Sequence, residues 1–360
     1  MIAYKAPRPG VSRRELVQFL ALFLCFSSSA CRGSESDTPP TGGGEMTLDE
    51  AVQWEREFTL EENDKTINVI VRAEIDPRGG FLIADEQEGY IRRYDANGRL
   101  LAQFGGKGSG PGEFTNLLRA IRLPDGSIAA FDIFHRVAVF DSAGSTLLRT
   151  FRTPVGPLHS VRLLNDSLVL LGGNNPPSTE KLHVWNLKQD SILTSFFSPP
   201  LPSRAHEMAA GSAGWVSMDI RGDTLAVVSS LSDTVYLLSI DGAIRERIPL
   251  PSTGLRRLDP SKPLPDARGG LVSAREWFGS FSLISDVHWI DDTFLVQYQD
   301  RVGPTPAWRL IGLTRTGRRT FEVIDTPNLI ATDPSSDSLF FVSPTSLAPN
   351  VWRSARLAVR

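Results

Sequence analysis

The chain has 360 residues, 41% of them hydrophobic and 22% charged, with a formal net charge of −3. That balance excludes a disordered chain and leaves room for a large buried core. Lys5, Arg8, Arg13, Arg14 and Glu15 give residues 1–30 a charge of +3, so the remainder carries −6 and has no electrostatic reason to bind nucleic acid or an anionic membrane surface.

Residues 1–18 are basic, with Arg13 and Arg14 ahead of an apolar run at 19–26 (FLALFLCF) and small residues at 27–30 before Cys31. A run this short does not span a bilayer as a helix. The order basic, apolar, small is that of a secretory signal over residues 1–30. The stretch SSAC ending at Cys31 resembles a bacterial lipoprotein lipobox, with Ser28 where the usual pattern has leucine. The resemblance implies acylation of Cys31 and an extracytoplasmic protein anchored to a bacterial membrane through lipid alone. Arg32-Gly33 stand where an aspartate commonly retains lipoproteins at the inner membrane, which favours an outer-membrane address. Each buried CH₂ contributes roughly 0.8 kcal/mol, so two or three acyl chains hold where one is marginal. The only other cysteine, Cys25, lies in the same leader, so the folded part has no disulfide to form. Residues 31–47, rich in Ser, Gly and Pro, read as a lipidated flexible tether, and residues 48–360 as the folded domain, expected to be monomeric.

Residues 54–60 (WEREFTL) alternate and read as a strand with no partner beside it in sequence. From 67 to 151 one pattern is written twice. GGFLIAD at 79–85 recurs as GSIAAFD at 126–132, 47 residues later. Tyr94-Asp95 recurs as Phe140-Asp141, and Leu100-Leu101 ending in Phe104 recurs as Leu147-Leu148 ending in Phe151. A repeat of this length, made of short apolar runs with turns between them, is the signature of a β-propeller. Blade one spans 67–104, with turns at 77–79 and at Asn97-Gly98, the second a strong hairpin signal. Blade two spans 117–151, blade three 158–197, blade four 215–250 and blade five 282–324, each with two short turns. Blade six starts at 328 and has only three strands in its own segment, the last at 352–359. The strand at 54–60 supplies the fourth, which closes the ring and leaves no long edge unpaired. The fold class expected is therefore all-β: a six-bladed propeller with four-stranded blades, sealed by the N-terminal strand.

Blades one and two resemble the NHL-repeat family of six-bladed propellers. The linker GSGPGEF at 108–114 matches that repeat, as do Asp76, Gly79 and Ile83-Ala84-Asp85 in blade one and Arg136-Val137 with Phe140 in blade two. Blade one has Tyr90-Ile91 where the repeat has Arg-Ile, and blades three to six keep only the apolar rhythm. The matched residues also have structural explanations: Asp85 and Asp132 are suited to accept backbone N–H groups in the turn after the second strand. GSGPGEF lacks the Lys-Ser/Thr of a phosphate loop and lies between strands.

The turns inside the first and last hairpin of each blade are short. The long connections, at 105–116, 172–180, 198–214, 251–281 and 300–306, all fall where a propeller places its opposite rim. Loops free to vary on a rigid scaffold are where binding usually lives. The longest, 251–281, carries Arg256, Arg257, Lys262, Arg268, Arg275, Trp277 and Phe278, which suits a protein partner or a small anionic or sugar-like ligand, or else a lid packing its aromatics on the ring. Deeper, the innermost strands bring Arg72, Arg119 and Arg162 to similar depths as Glu74, Asp219, Asp286 and His288. These arginines either neutralise the carboxylates or ring an anion site.

No histidine pair has metal-ligand spacing, no Gly-Xaa-Ser-Xaa-Gly elbow occurs, and the folded part offers no nucleophilic cysteine. The first expectation is thus a membrane-anchored binding or scaffolding module needing no cofactor. The alternative is a metal-dependent propeller hydrolase or lyase, gluconolactonase-like or amidating-lyase-like, with Ca²⁺ or Zn²⁺ held in the channel by Glu74, Asp219, Asp286 and His288. A third reading is a sensor subunit that presents the long-loop rim to a membrane partner.

Overall fold

The computed structural model describes residues 45–67, 70–201, 203, 206, 214–251, 254–262, 276–300, 307–343 and 348–358. The leader with Cys31, most of the tether and Arg275 lie outside them.

The elements follow in chain order. First come β1 (Glu45–Met46), the one-turn helix α1 (Leu48–Ala51) and β2 (Val52–Thr59). Blade one is β3 (Ile70–Ile75), β4 (Phe81–Asp85), β5 (Tyr90–Tyr94) and β6 (Leu100–Gly105). Blade two is β7 (Leu117–Arg122), β8 (Ile128–Asp132), β9 (Arg136–Phe140) and β10 (Leu147–Arg152). Blade three is β11 (Leu158–Leu163), β12 (Leu168–Gly173), β13 (Leu182–Asn186) and β14 (Ser191–Phe196). Blade four is β15 (Val216–Arg221), β16 (Thr224–Ser229), β17 (Thr234–Ser239) and β18 (Ile244–Pro249). Blade five is β19 (Leu283–Ile290), β20 (Thr293–Asp300), β21 (Ala307–Thr314) and β22 (Arg319–Ile324). Blade six is β23 (Leu329–Asp333), β24 (Ser338–Val342), β25 (Val351–Leu357) and, from the start of the domain, β2.

Each blade is an antiparallel sheet numbered from the centre outward, and the innermost strands β3, β7, β11, β15, β19 and β23 neighbour one another around a central channel. The second strands are apolar on both sides; every residue of β4, β8 and β16 is buried. A sheet of this kind cannot stand in water alone, and it buries its faces against the blades on either side. The core is accordingly divided into layers between successive blades, six in all, from blades one and two round to blades six and one.

The ring closes as the sequence predicts. β2 pairs antiparallel with β25 from Val52↔Leu357 to Thr59↔Val351. Trp54 lies edge-on to Phe341 with 5.6 Å between ring centroids, and the Arg353 guanidinium sits 3.9 Å above the Trp54 ring. Phe58 carries the closure on into blade one, stacking on Phe81 at 5.8 Å.

The turn glycines do more than reverse the chain. Gly144, in the last hairpin of blade two, has φ +83, and a Cβ there would lie 2.3 Å from the ring of Phe104, on the outer strand of blade one. Gly242 of blade four meets Phe196 of blade three in the same way, at 2.6 Å. Left-handed backbone and absent side chain are needed together, so these turns seat one blade against the outer strand of the blade before.

One expectation is corrected. Residues 45–47, read as the end of the tether, belong to the folded body: Glu45 and Met46 pair in parallel with Glu322 and Val323, adding a fifth strand to blade five. The Thr47 amide donates to Glu50 Oε2 at 2.7 Å and starts α1. A two-residue strand carries no periodicity, which is why the sequence pattern does not announce it.

Candidate functional site

The channel is built from the innermost strands. Arg72 and Arg119 stand 47 residues apart, the period of the repeat, on β3 and β7. Arg162 lies on β11, Glu74 on β3, Ser217 and Asp219 on β15, Asp286 and His288 on β19, and Thr332 on β23. The structure brings these predicted channel residues together as one lattice of opposite charges. Arg72 Nη2 lies 2.5 Å from Asp286 Oδ1 and donates to Ser217 Oγ at 3.0 Å. In a ring of six, blade four is opposite blade one, so the Arg72 side chain crosses the channel. Arg119 donates from Nε, at 2.9 Å, and from Nη2 to the same oxygen of Glu74. Arg162 Nε is 3.3 Å from Asp219 Oδ1, and its Nη1 donates to the Val161 carbonyl at 3.1 Å. Asp219 Oδ2 accepts the Trp289 amide at 2.9 Å, tying blade four to blade five.

Asp286 is the hub. Its Oδ1 also accepts Ser217 Oγ at 2.5 Å and its own neighbour's amide, Val287 N, at 2.7 Å. His288 Nε2 lies 3.3 Å from Asp286 Oδ2, within reach of its charge but not aligned as a hydrogen bond, while His288 Nδ1 is 3.2 Å from Thr332 Oγ1. Burial pulls the Asp286 carboxyl upward, but Arg72, His288 and Ser217 outweigh it and hold the group far below the usual carboxylate range. Burial pushes Arg72 down to about 10; Asp286 opposes the fall, and the like charges of Arg162 and Arg119 add to it. Arg119 is lowered by burial and then by Arg162, with Glu74 opposing. Burial also weighs on Arg162, but Asp219, Glu74 and Asp286 outweigh it and raise the group.

These donors do not make a metal centre. Glu74, Asp219 and Asp286 are engaged by guanidinium, hydroxyl and amide groups, and His288 bonds Thr332 through Nδ1 with Nε2 near Asp286. Among the described residues no group of three or more His, Cys, Asp or Glu side chains is placed to hold a metal ion. Calcium asks for six to eight oxygens and zinc for four tetrahedral donors. Carboxylates locked to arginines offer neither.

The long-loop rim gathers the other predicted residues that the structure describes. Strand order and antiparallel pairing put all the long connections at one end of the blades. Arg256 donates from Nε and Nη2 to Asp300 Oδ1 at 2.8 and 2.6 Å, and from Nη1 to the Gly279 carbonyl at 2.8 Å. Arg257 Nε meets Asp233 Oδ2 at 2.5 Å. Trp277 is buried with Phe278 and Phe281, 4.8 and 4.9 Å away in edge-on contacts, and the three pack on Leu231 and Leu283. Arg256, Arg257 and Trp277, expected either as ligand groups or as part of a packed lid, tie the described ends of the 251–281 connection to blades four and five. Arg275, the remaining candidate of that loop, falls outside the described residues. Asp85 and Asp132 take the structural role expected of them: Asp85 accepts the Glu88 amide at 3.2 Å, and Asp132 accepts the amides of Thr115, Asn116 and Phe134 at 2.7, 2.8 and 2.8 Å.

Sequence reasoning missed Ser217, Thr332, Asp233 and Asp300. A small hydroxyl on an inner strand reads as core filler, and an aspartate just past a strand reads as a turn residue. Only the spatial neighbour reveals either one.

No protein-family model matches the chain, and no curated protein matches it. The likeness of blades one and two to the NHL repeat therefore stands on their own residues. Among solved structures the chain is similar to a protein named as an exported protein of Bacteroides fragilis NCTC 9343, at 15% identity and a TM-score of 0.59 over 88% of this chain and 98% of that one. It is similar to the WD40 repeats of RRP9 at 14% identity and a TM-score of 0.50, over 85% and 99% of the two chains. BamB from Moraxella catarrhalis aligns at 11% identity with a TM-score of 0.48. At such identities the first two matches show one thing, the propeller fold.

Proposed function

We propose that the protein is an extracytoplasmic propeller, anchored through acylated Cys31, that binds or scaffolds a protein partner on its long-loop rim. One observation carries this reading. All the long connections are at one end of the ring, while the channel behind them is crossed by Arg72 and lined by its own ion pairs. A partner of any size therefore meets the rim, not the channel. The basic-apolar-small leader ending at Cys31 supports the address, and the fold shared with a protein named as exported agrees with it.

The lysines of the chain give a direct test. Lys107 and Lys262 are exposed on the long-loop rim, and Lys188 is exposed in a turn at the other end. The full chain, cross-linked in intact membranes and then solubilised, is expected to join its partner through Lys107 and Lys262. Cross-links confined to Lys188 sink the rim assignment. Cys31→Ser is expected to move the protein from the membrane to the soluble fraction, and retention there sinks the anchor.

A further inference from the structure

The channel lattice is incomplete. Nη1 of Arg72 and Nη1 of Arg119 are buried and have no hydrogen-bond partner. The side chains of Arg72, Arg119 and Arg162 are 11%, 8% and 12% exposed, so these donors have left bulk water. A buried donor without an acceptor is costly, and more so when it is charged. Three successive blades also bring their guanidinium groups within electrostatic reach of one another. Arg162 and Arg119 both bear on Arg72, and Arg162 bears on Arg119 against the attraction of Glu74. Each carboxylate is taken up on another edge: Glu74 on Nε and Nη2 of Arg119, Asp286 on Nη2 of Arg72, Asp219 on Nε of Arg162. The two free Nη1 groups thus lie where guanidinium charge is crowded locally, although the arginines and carboxylates balance in number.

We infer that the central channel binds one small oxyanion of single negative charge, a carboxylate or monobasic phosphate, between the free Nη1 groups of Arg72 and Arg119 with Arg162 beside them. The ligand class follows from the donors: one free, charged Nη1 group from each of Arg72 and Arg119 suits the oxygens of a carboxylate or phosphate. Its charge follows from the surroundings. Three arginines face Glu74, Asp219 and Asp286, so the fixed charges cancel, and the attraction is local. A second negative charge on the ligand gains little from the arginines and is repelled by the three carboxylates. Its size follows from Arg72, which already spans the channel. Glu74, 28% exposed, marks the side from which solvent reaches the site. This site is separate from the rim and stands or falls without it.

The test is calorimetric titration of the purified full chain with sodium acetate, sodium phosphate at a pH where the monobasic form dominates, and sodium sulfate, each against sodium chloride at equal ionic strength. The expected result is one saturable site per chain for acetate or phosphate and none for chloride; which of the two binds more tightly identifies the source of the oxyanion. The double variant Glu74→Gln with Arg119→Gln removes one charge of each sign and is expected to bind at least tenfold more weakly. Should that variant not fold, Arg119→Lys keeps the charge and the Glu74 pair but removes the free Nη1 group, and the same loss is expected. No saturable acetate or phosphate site in the wild-type chain, or a site that these variants retain, overturns the inference. Tighter binding of sulfate than of acetate overturns the single-charge assignment.

Discussion

Arginine–aspartate pairs hold both the central channel and the 251–281 connection in place, yet the two regions use the pair differently. In the channel, Arg72 and Asp286 are 11% and 6% exposed and every further partner is polar. On the rim, Arg257 and Asp233 are 54% and 38% exposed and are tied by one short contact. The chemistry is the same and the solvent is not. In water an ion pair is screened and contributes about 0–1 kcal/mol. Out of water the pair itself is a near balance of attraction against desolvation, but losing one member leaves a buried charge with nothing to face it. The channel pairs therefore make the centre of the ring intolerant of single substitutions, while the rim pairs fasten a loop.

The sharpest way to break that comparison is Asp286→Ala. It leaves Arg72 buried without its counter-ion and Ser217 without its acceptor, and a loss of about 3–5 kcal/mol is expected. Urea unfolding of the full chain measures it. Arg72→Met combined with Asp286→Leu replaces the pair by apolar groups and is expected to recover most of the loss. If Asp286→Ala unfolds with the wild-type midpoint, the lattice is not what holds the channel.

A buried carboxylate with no arginine lies between the two cases. Glu86 follows β4, is buried, and its Oε2 has no hydrogen-bond partner. Burial raises its pKa to about 7; Lys107 opposes the rise, and Asp85 and Asp132 add to it. A carboxyl raised from 4.5 in the unfolded chain favours folding fully below pH 4.5, and that contribution is lost as the pH climbs through 7. His159 works against it: burial, then Lys181, lowers its pKa to about 3, so its contribution is present above pH 6.5 and lost as the pH falls. The wild-type profile mixes these with other shifted groups, among them His183 and Lys181, and the difference between wild type and Glu86→Gln isolates Glu86. The variant is expected to gain stability relative to wild type between pH 4.5 and 7, by on the order of 2–3 kcal/mol at the upper end, at about 1.4 kcal/mol per unit. A flat difference profile places Glu86 in water and removes the intermediate case.

The sequence shows the architecture well because a propeller is written locally. Each hairpin is announced by its own turn, as at Asn97-Gly98 and Asp241-Gly242, and the missing strand of blade six points to 54–60 by arithmetic alone. What it hides is lateral. Nothing near Arg72 in sequence says that its partners are Ser217 and Asp286, 145 and 214 residues on. The charged residues of the inner strands are legible as a group facing one another, but their pairing is decided by the channel's width and the blade order. Trp277 shows the opposite difficulty. An aromatic in a long basic loop reads as a ligand platform, but burial against Phe278 and Phe281 makes it an anchor. Glu45 and Met46 were invisible because two residues cannot display a period.

The smallest expected effects are on the rim, and they separate fastening from stability. Arg256 is 35% exposed and shares Asp300 with Ser282 and, at 3.8 Å, Arg309, so Arg256→Ala leaves that carboxylate still faced by donors. A loss of about 1 kcal/mol or less is expected, and for the more exposed Arg257→Ala about 0.5 kcal/mol or less. Neither shifts the unfolding midpoint much, because the aromatic cluster of Trp277, Phe278 and Phe281 and the six interblade layers are untouched. Local opening is another matter. Arg256 also donates to the Gly279 carbonyl, joining the two ends of the connection. Without it the segment between those ends opens at lower cost than the ring unfolds, and tryptic cleavage within residues 254–276 is expected to speed up severalfold while melting stays nearly constant. If Arg256→Ala is cut no faster than wild type, the aromatic cluster alone holds the connection, and the rim ion pairs are surface decoration rather than fasteners.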